Sequence, residues 1–251
     1  MASQPENQLP LFYQSLSALS SQTHAKFGLN LRSNFPEVAS VHAVPLTVDE
    51  FAVAQRHYPI IFGVGESPAP LALMALNEGL NTFVDKDGNW RADTYIPAYV
   101  RRYPFMLAKL TPDAEELSLC FDDASGIIVD GGEQALFDGD QPSETTKGIL
   151  SFCEQFEQSV ARTRAFIEEL EKLGLMTDGE LTIDSNAGGQ PIVYRGFRMV
   201  AEEKLQDLRG DQARKLTQNG MLGLVYAHLM SLQNMRDVYG KQVEQQAAAA
   251  A

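Results

Sequence analysis

Asn81-Thr-Phe-Val-Asp-Lys-Asp-Gly-Asn-Trp90 runs on into Arg91-Ala-Asp-Thr-Tyr-Ile-Pro-Ala-Tyr-Val-Arg-Arg-Tyr-Pro-Phe-Met-Leu-Ala108. This stretch holds the only tryptophan, three tyrosines, two prolines and the pair Arg101-Arg102. Asp87-Gly88 predicts a tight turn, because glycine takes the positive φ that closes a hairpin. The turn brings Trp90 back against a strand expected over Asn81–Asp85. Tyr95–Arg102 then predicts a short helix, ended by Tyr103-Pro104 because the residue before proline leaves the α region. Strands follow at Phe105–Leu110 and Leu117–Phe121, separated by a Thr-Pro-Asp turn.

Upstream, Thr47 and Glu50 have the spacing of a capping box and open a helix over Thr47–His57. Tyr58-Pro59 stops it. Ile60–Val64 and Leu71–Leu76 read as strands around a Gly65–Pro70 loop, and His24–Leu31 as extended chain. The two Tyr-Pro junctions lie 45 residues apart, each between a helix and an apolar strand. Duplication of a helix–strand unit and convergent punctuation both account for that. Downstream, Asp122–Pro142 reads as an exposed Gly/Asp-rich loop with a strand at Ile127–Val129. From Ser143, Ile149, Phe152, Cys153, Phe156, Val160, Thr163, Ile167, Leu170 and Leu173 follow helical steps of three and four. A helix over 143–173, roughly thirty residues and about 45 Å long, results, with Gly174 as its C-cap glycine. Leu181–Ile183 and Pro191–Tyr194 predict a hairpin through Asn186-Ala-Gly-Gly, with Gly196–Val200 extended. Helices are expected at Glu202–Leu208, Asp211–Gln218 and Met221–Tyr239, the last burying Leu222, Val225, Tyr226, Leu229 and Leu232.

These readings give an α+β fold: a mainly antiparallel sheet from the first half, packed against a long amphipathic helix and a C-terminal apolar helix. A single domain over 1–251 is expected, with residues 1–20 and 241–251 mobile and a weak internal division near 122–142.

The composition, 44% apolar and 21% charged, is that of a globular chain. Its net charge of −13 comes without a compensating basic block, which argues against a nucleic-acid or anionic-membrane partner. No segment reaches the ~20 apolar residues of a membrane span, and no secretory signal opens the chain. Cytoplasmic location is the expectation, with export by a route using no cleaved N-terminal signal left open. Cys120 and Cys153 read as buried free thiols; a disulfide or a two-ligand metal site stays as the alternative.

No catalytic constellation is visible. Asp85-Lys-Asp-Gly-Asn resembles a calcium loop only superficially, since glycine stands fourth and Ile96 occupies the twelfth position. Gly63-Val-Gly65 lacks the third glycine and the helix of a dinucleotide fingerprint. His24, His42, His57 and His228 lack motif context, and His228 reads as a hydrogen-bonded, half-buried residue. No cofactor or metal is called for. Arg101-Arg102 fits the C-terminal end of a helix dipole, or bidentate recognition of an anion between aromatic walls. On the second reading Trp90, Tyr95, Tyr99, Arg101, Arg102 and Tyr103 bind a small anionic or peptide ligand; packing alone is the competing reading.

With these motifs on the page, the chain resembles the SapC family. The resemblance spans about residues 40–236. It rests on Val44-Pro45-Leu46 with Glu50-Phe51, Tyr58-Pro59-Ile60, Phe83-Val-Asp-x-Asp-Gly-x-Trp90 and Tyr95 to Phe105. In the second half it rests on Arg162-Thr-Arg-Ala-Phe166, Asn219-Gly-x-Leu-Gly223 and Tyr226-Ala-His-Leu229. Met221 departs from it, standing where tryptophan is common. The resemblance implies no enzymatic activity or catalytic residue. The family name implies a link to a bacterial surface layer, and its gene neighbourhoods imply one to outer-membrane receptors and flavin-dependent halogenases. The function expected is therefore a non-enzymatic binding or accessory protein, tied to nutrient uptake or peptide modification. A surface-layer structural role is the alternative, and an enzyme using His57 or His228 as base ranks third. Its partner would be an unknown protein or ligand, with self-association open.

Overall fold

The computed structural model describes residues 9–65, 68–111, 113, 116–183 and 191–250. In chain order the strands are β1 (Leu16–Ala18), β2 (Phe27–Leu29), β3 (Ala43–Pro45), β4 (Ile60–Phe62), β5 (Pro70–Leu73), β6 (Phe105–Ala108) and β7 (Ser118–Asp122). They continue as β8 (Ile128–Asp130), β9 (Gln134–Ala135), β10 (Phe137–Asp138), β11 (Gln141–Pro142), β12 (Met176–Ile183) and β13 (Ile192–Val200). The helices are α1 (Ser21–His24), α2 (Phe51–Ala54), α3 (Ala98–Arg102), α4 (Glu144–Lys172), α5 (Glu202–Gln206), α6 (Gly210–Gln218), α7 (Met221–Ser231) and α8 (Met235–Ala250). The chain is α+β with antiparallel sheets, as its patterning indicates.

It divides into two units, one of Met1–Ser33 with Arg101–Glu157, the other of Asn34–Val100 with Gln158–Ala251. In the first unit, β7 pairs with β1 on one side and β6 on the other. A second sheet places β2 between β8 and β9, and β10 pairs with β11. Phe105, Leu107, Phe121, Ile127, Ile128, Leu136, Phe137 and Cys153 form its core. The stretch 122–142 is therefore not simply an exposed loop. Its glycines let four short strands, β8 to β11, turn tightly enough to put Ile127, Ile128, Leu136 and Phe137 inside.

In the second unit, among the described residues, a five-stranded antiparallel sheet runs β12-β13-β4-β5-β3. Two of its strands come from the second half of the chain, so the sheet is not confined to the first half. The pairing runs from Met176 with Val200 to Ile183 with Ile192, with a register shift at Gly179/Glu180, which lengthens the hairpin beyond the expected boundaries; its link through Asn186–Gly189 lies outside the described residues. Met235 joins Ile61, Leu73, Ile183 and Phe197 on one face of the sheet.

α4 opens at Ser143, whose hydroxyl accepts from the Thr146 N–H at 3.3 Å. It closes with Gly174 at φ 67° and a Leu175 N–H to Leu170 C=O bond of 3.0 Å, a Schellman ending. Its buried line runs through Cys153, Phe156, Ser159, Thr163, Phe166 and Leu170, leaving Val160 and Ile167 on the flank. The expected final helix is instead broken by a 3-10 turn at Leu232–Asn234. Tyr226 is 43% exposed rather than buried. At the ends expected to be mobile, β1 pairs with β7 and α8 continues to Ala250. The Gln242 side-chain oxygen accepts from the Leu76 N–H at 2.8 Å, which ties that tail to the loop after β5.

Asn81–Asp85 is not a strand. Asn81 donates to the Val38 and Val41 carbonyls, both at 3.1 Å, and accepts from the Phe83 N–H at 2.9 Å. Thr82 donates to the Met74 carbonyl at 2.7 Å. Side chains satisfy the backbone that a ladder would otherwise satisfy. Only Val84 and Trp90 bridge, across the expected turn. Gly88 has φ 81°, and a Cβ there would lie 2.3 Å from the Pro36 nitrogen. Gly88→Ala is expected to cost about 2–4 kcal/mol, from left-handed strain together with the clash; the midpoint of urea unfolding measures it.

Candidate functional site

The six residues expected to bind a ligand divide equally between the units. Trp90, Tyr95 and Tyr99 belong to the second, Arg101, Arg102 and Tyr103 to the first.

In the second unit the polar centre is Glu50, 5% exposed. It completes the capping box, accepting from the Thr47 N–H and hydroxyl at 2.9 Å each. Its other oxygen accepts from the Tyr95 hydroxyl at 3.0 Å and the Ala98 N–H at 2.7 Å. One carboxylate thereby caps the 3-10 turn at Val48–Glu50 and the start of α3. Pro97 delays that helix to Ala98, later than the Tyr95 start expected. The Tyr58 hydroxyl donates to the Tyr95 carbonyl, and burial raises its pKa. Trp90 stands edge-on to Phe35 with centroids 6.0 Å apart, while its Nε1 is buried without an aligned acceptor. Tyr99 is buried, 6% exposed.

Arg162, Thr163 and Phe166 dock on the same 3-10 turn. Arg162 pairs with Asp49, Nε to Oδ1 at 3.2 Å, and this hydrogen bond holds the Asp49 carboxyl below its usual range. Thr163 accepts from the Val48 N–H at 2.9 Å, and Phe166 meets Phe51 edge-on at 6.0 Å. His228 is fully buried, not half-buried. Its Nε2 accepts from the Val200 N–H at 3.1 Å, and its Nδ1 lies 2.8 Å from the Ile60 carbonyl. Burial pushes its pKa down to about 4, so the ring is neutral at pH 7.

In the first unit the polar centre is Asp122, fully buried. It accepts from the Gln14 and Ser15 N–H groups at 3.0 Å each and from the Tyr103 hydroxyl at 2.9 Å. Arg102 is 7% exposed, lies 4.3 Å above the Phe156 ring, and reaches Glu157 at 3.5 Å. Arg101 is exposed and stands 5.3 Å above Phe152. Cys120 and Cys153 are buried free thiols. Burial pushes the Cys153 thiol up to about 11.

Sequence reasoning missed Glu50 beyond its capping box, and missed Asp122 entirely. The Thr47–Glu50 spacing signals a local cap, but nothing signals the partners at Tyr95 and Ala98. Among the described residues no group of three His, Cys, Asp or Glu side chains could hold a metal ion. No helix there is long and apolar enough to cross a membrane.

Comparison with curated proteins and with solved structures finds no match. The SapC family model matches residues 19–238. The residues just described, from the Glu50 cap and Tyr95 to the Arg162–Phe166 dock and His228, lie inside that match, and the chain belongs to the SapC family.

Proposed function

We propose that this SapC-family chain is a non-enzymatic binding or accessory protein for a small anionic or peptide ligand, serving nutrient uptake or peptide modification. The observation that carries this reading is the commitment of its buried chemical groups to the protein itself. Glu50 and Asp122 accept from backbone N–H groups and tyrosine hydroxyls, and His228 spends both ring nitrogens on backbone. A general base needs a lone pair within reach of a substrate proton, and these groups have theirs occupied. The ligand residues proposed are Trp90, Tyr95, Tyr99, Arg101, Arg102 and Tyr103. Exposed Arg101 and partly exposed Trp90, Tyr95 and Tyr103 act as contacts, with buried Tyr99 and Arg102 as their support.

Affinity capture from native lysate with the full chain, followed by mass spectrometry of proteins and small molecules, tests this. A partner or ligand recovered with the wild type and lost with Arg101→Glu or Trp90→Ala is the expected result. Recovery of neither leaves self-association alone, and turnover of the captured molecule would replace the reading with an enzymatic one. The family name favours a surface-layer role as the second reading. Cell fractionation that puts most of the protein on the exterior would select it.

A further inference from the structure

Several cations of this acidic chain pair with carboxylates: Arg102 with Glu157, Arg162 with Asp49, Arg195 with Glu180, Arg198 with Glu171, Lys215 with Glu169. In the second unit, a group without such pairs comes together from separate parts of the chain. Arg56 and His57 close the turn after α2, with N–H bonds to Val53 at 3.3 Å and Ala54 at 2.9 Å. Arg91 follows the Trp90 bridge and is fixed by its N–H to the Phe83 carbonyl at 2.8 Å. Lys241 comes from α8 and places its Nζ 4.4 Å from the centre of the Phe83 ring. The Phe83 ring meets Tyr58 at 4.6 Å, and Tyr58 meets His57 at 6.0 Å. Lys241 and His57 thus meet one aromatic pair from separate elements, and Arg56 and Arg91 stand near enough for their charges to act on His57 and Lys241.

The four groups feel one another. After burial, the charges of Arg56 and Lys241 lower the pKa of His57, and that of Arg91 lowers the pKa of Lys241. Asp237 and Glu244 on α8 act on Lys241 in the opposite direction. Among the described residues, neither closes to an ion pair with it, and Arg56 and Arg91 have no carboxylate partner. Arg56 and Arg91 are exposed, while His57 and Lys241 are partly so, so their charged ends are open to solvent. In a chain of net charge −13, such a gathering of cations attracts an anion locally. Two guanidinium forks and an ammonium over an apolar floor are the donor set for a compact, doubly charged anion.

We propose that Arg56, His57, Arg91 and Lys241, gathered over the Tyr58–Phe83 ring pair, bind a small dianion, a phosphate or a dicarboxylate. The site uses none of the six residues named for the binding role above, so each proposal stands or falls alone.

Thermal melts and calorimetric titrations of the full chain with inorganic phosphate and with succinate, ionic strength balanced by sodium chloride, test it. A saturable rise in Tm with at least one dianion is expected, and the tighter of the two identifies a phosphate or a carboxylate as the natural group. Arg56→Gln with Arg91→Gln, and separately Lys241→Met, should each weaken binding at least tenfold. The arginines are exposed, and methionine keeps an apolar stem on Phe83; melts without ligand verify that both variants fold. Arg195→Gln, which removes a cation elsewhere, should leave the affinity unchanged. The proposal is overturned if neither dianion stabilises more than chloride, or if Arg195→Gln weakens binding as much as the site variants do.

Discussion

His228→Ala is expected to lower unfolding free energy by about 3–5 kcal/mol, since the imidazole serves as a connector between strands. β13 and β4 share a single register pair, Arg198 with Phe62. Beyond it the ring of His228 sits between the strands, accepting from Val200 and donating to Ile60. Ser231, one turn further along α7, accepts from the Ile60 N–H at 2.8 Å. Alanine would leave a buried N–H and a buried C=O without partners, at about 1–3 kcal/mol each. It would also remove the ring packed at 5.0 Å against Phe62. The acid side of the stability curve carries the same signature. The unfolded imidazole takes a proton near its ordinary value of 6.5, whereas the buried one resists until about 4. Between those values the unfolded chain binds more protons, so stability rises with pH there. The contribution is fully present above pH 6.5 and is lost as pH falls to about 4, roughly 3 kcal/mol in all. Urea unfolding at pH 7.5, 5.5 and 4.5 should show a steeper decline for the wild type than for His228→Gln. Equal declines would mean that the ring titrates normally and is not the buried link described.

What could be read from sequence was whatever depends on neighbours within one turn or one hairpin. The Thr47–Glu50 box, the Asp87-Gly88 turn, the Gly174 ending and the steps of three and four along α4 are local, and the chain adopts them. What could not be read was a side chain standing in for a strand or a helix partner. Asn81 and Thr82 look like strand residues, yet their own side chains satisfy the neighbouring backbone. His228 looks like the rim of an apolar face, and becomes its centre because β4 and β13 diverge. Gln242, in a segment expected to be mobile, holds the Leu76 N–H. Thr163 lies in the apolar stripe of α4 because it accepts the Val48 N–H. The candidate site was legible as composition only: its six residues are close in sequence, but Trp90, Tyr95 and Tyr99 fall in one unit and Arg101, Arg102 and Tyr103 in the other. The cations around Phe83 stayed hidden for the opposite reason, since Arg56, Arg91 and Lys241 are far apart along the chain.

Glu50→Ala is expected to be the other costly change, at about 3–5 kcal/mol, although a capping-box glutamate on an exposed helix is worth only ~1 kcal/mol. The difference lies in burial and in the number of donors facing it. Thr47 N–H, Thr47 hydroxyl, Tyr95 hydroxyl and Ala98 N–H all point at its two oxygens. With the carboxylate gone, the Thr47 and Ala98 N–H groups lose a buried acceptor, each at about 1–3 kcal/mol. The hydroxyls can rotate to other acceptors and contribute less. Glu50→Gln should fall between wild type and alanine, because the amide keeps one acceptor oxygen while its NH2 meets donors. Tyr95→Phe removes a single donor and should cost about 1 kcal/mol. Since Tyr95 and Glu50 share one hydrogen bond, the double variant Glu50→Ala/Tyr95→Phe should cost less than the sum of the two. Urea denaturation followed by far-ultraviolet circular dichroism gives all four free energies. Strict additivity, or an alanine variant within 1 kcal/mol of wild type, would show that the capping turn and α3 are held by something other than this carboxylate. If the sum is not reached, Glu50 couples the turn at Val48–Glu50 to the Tyr95–Ala98 segment.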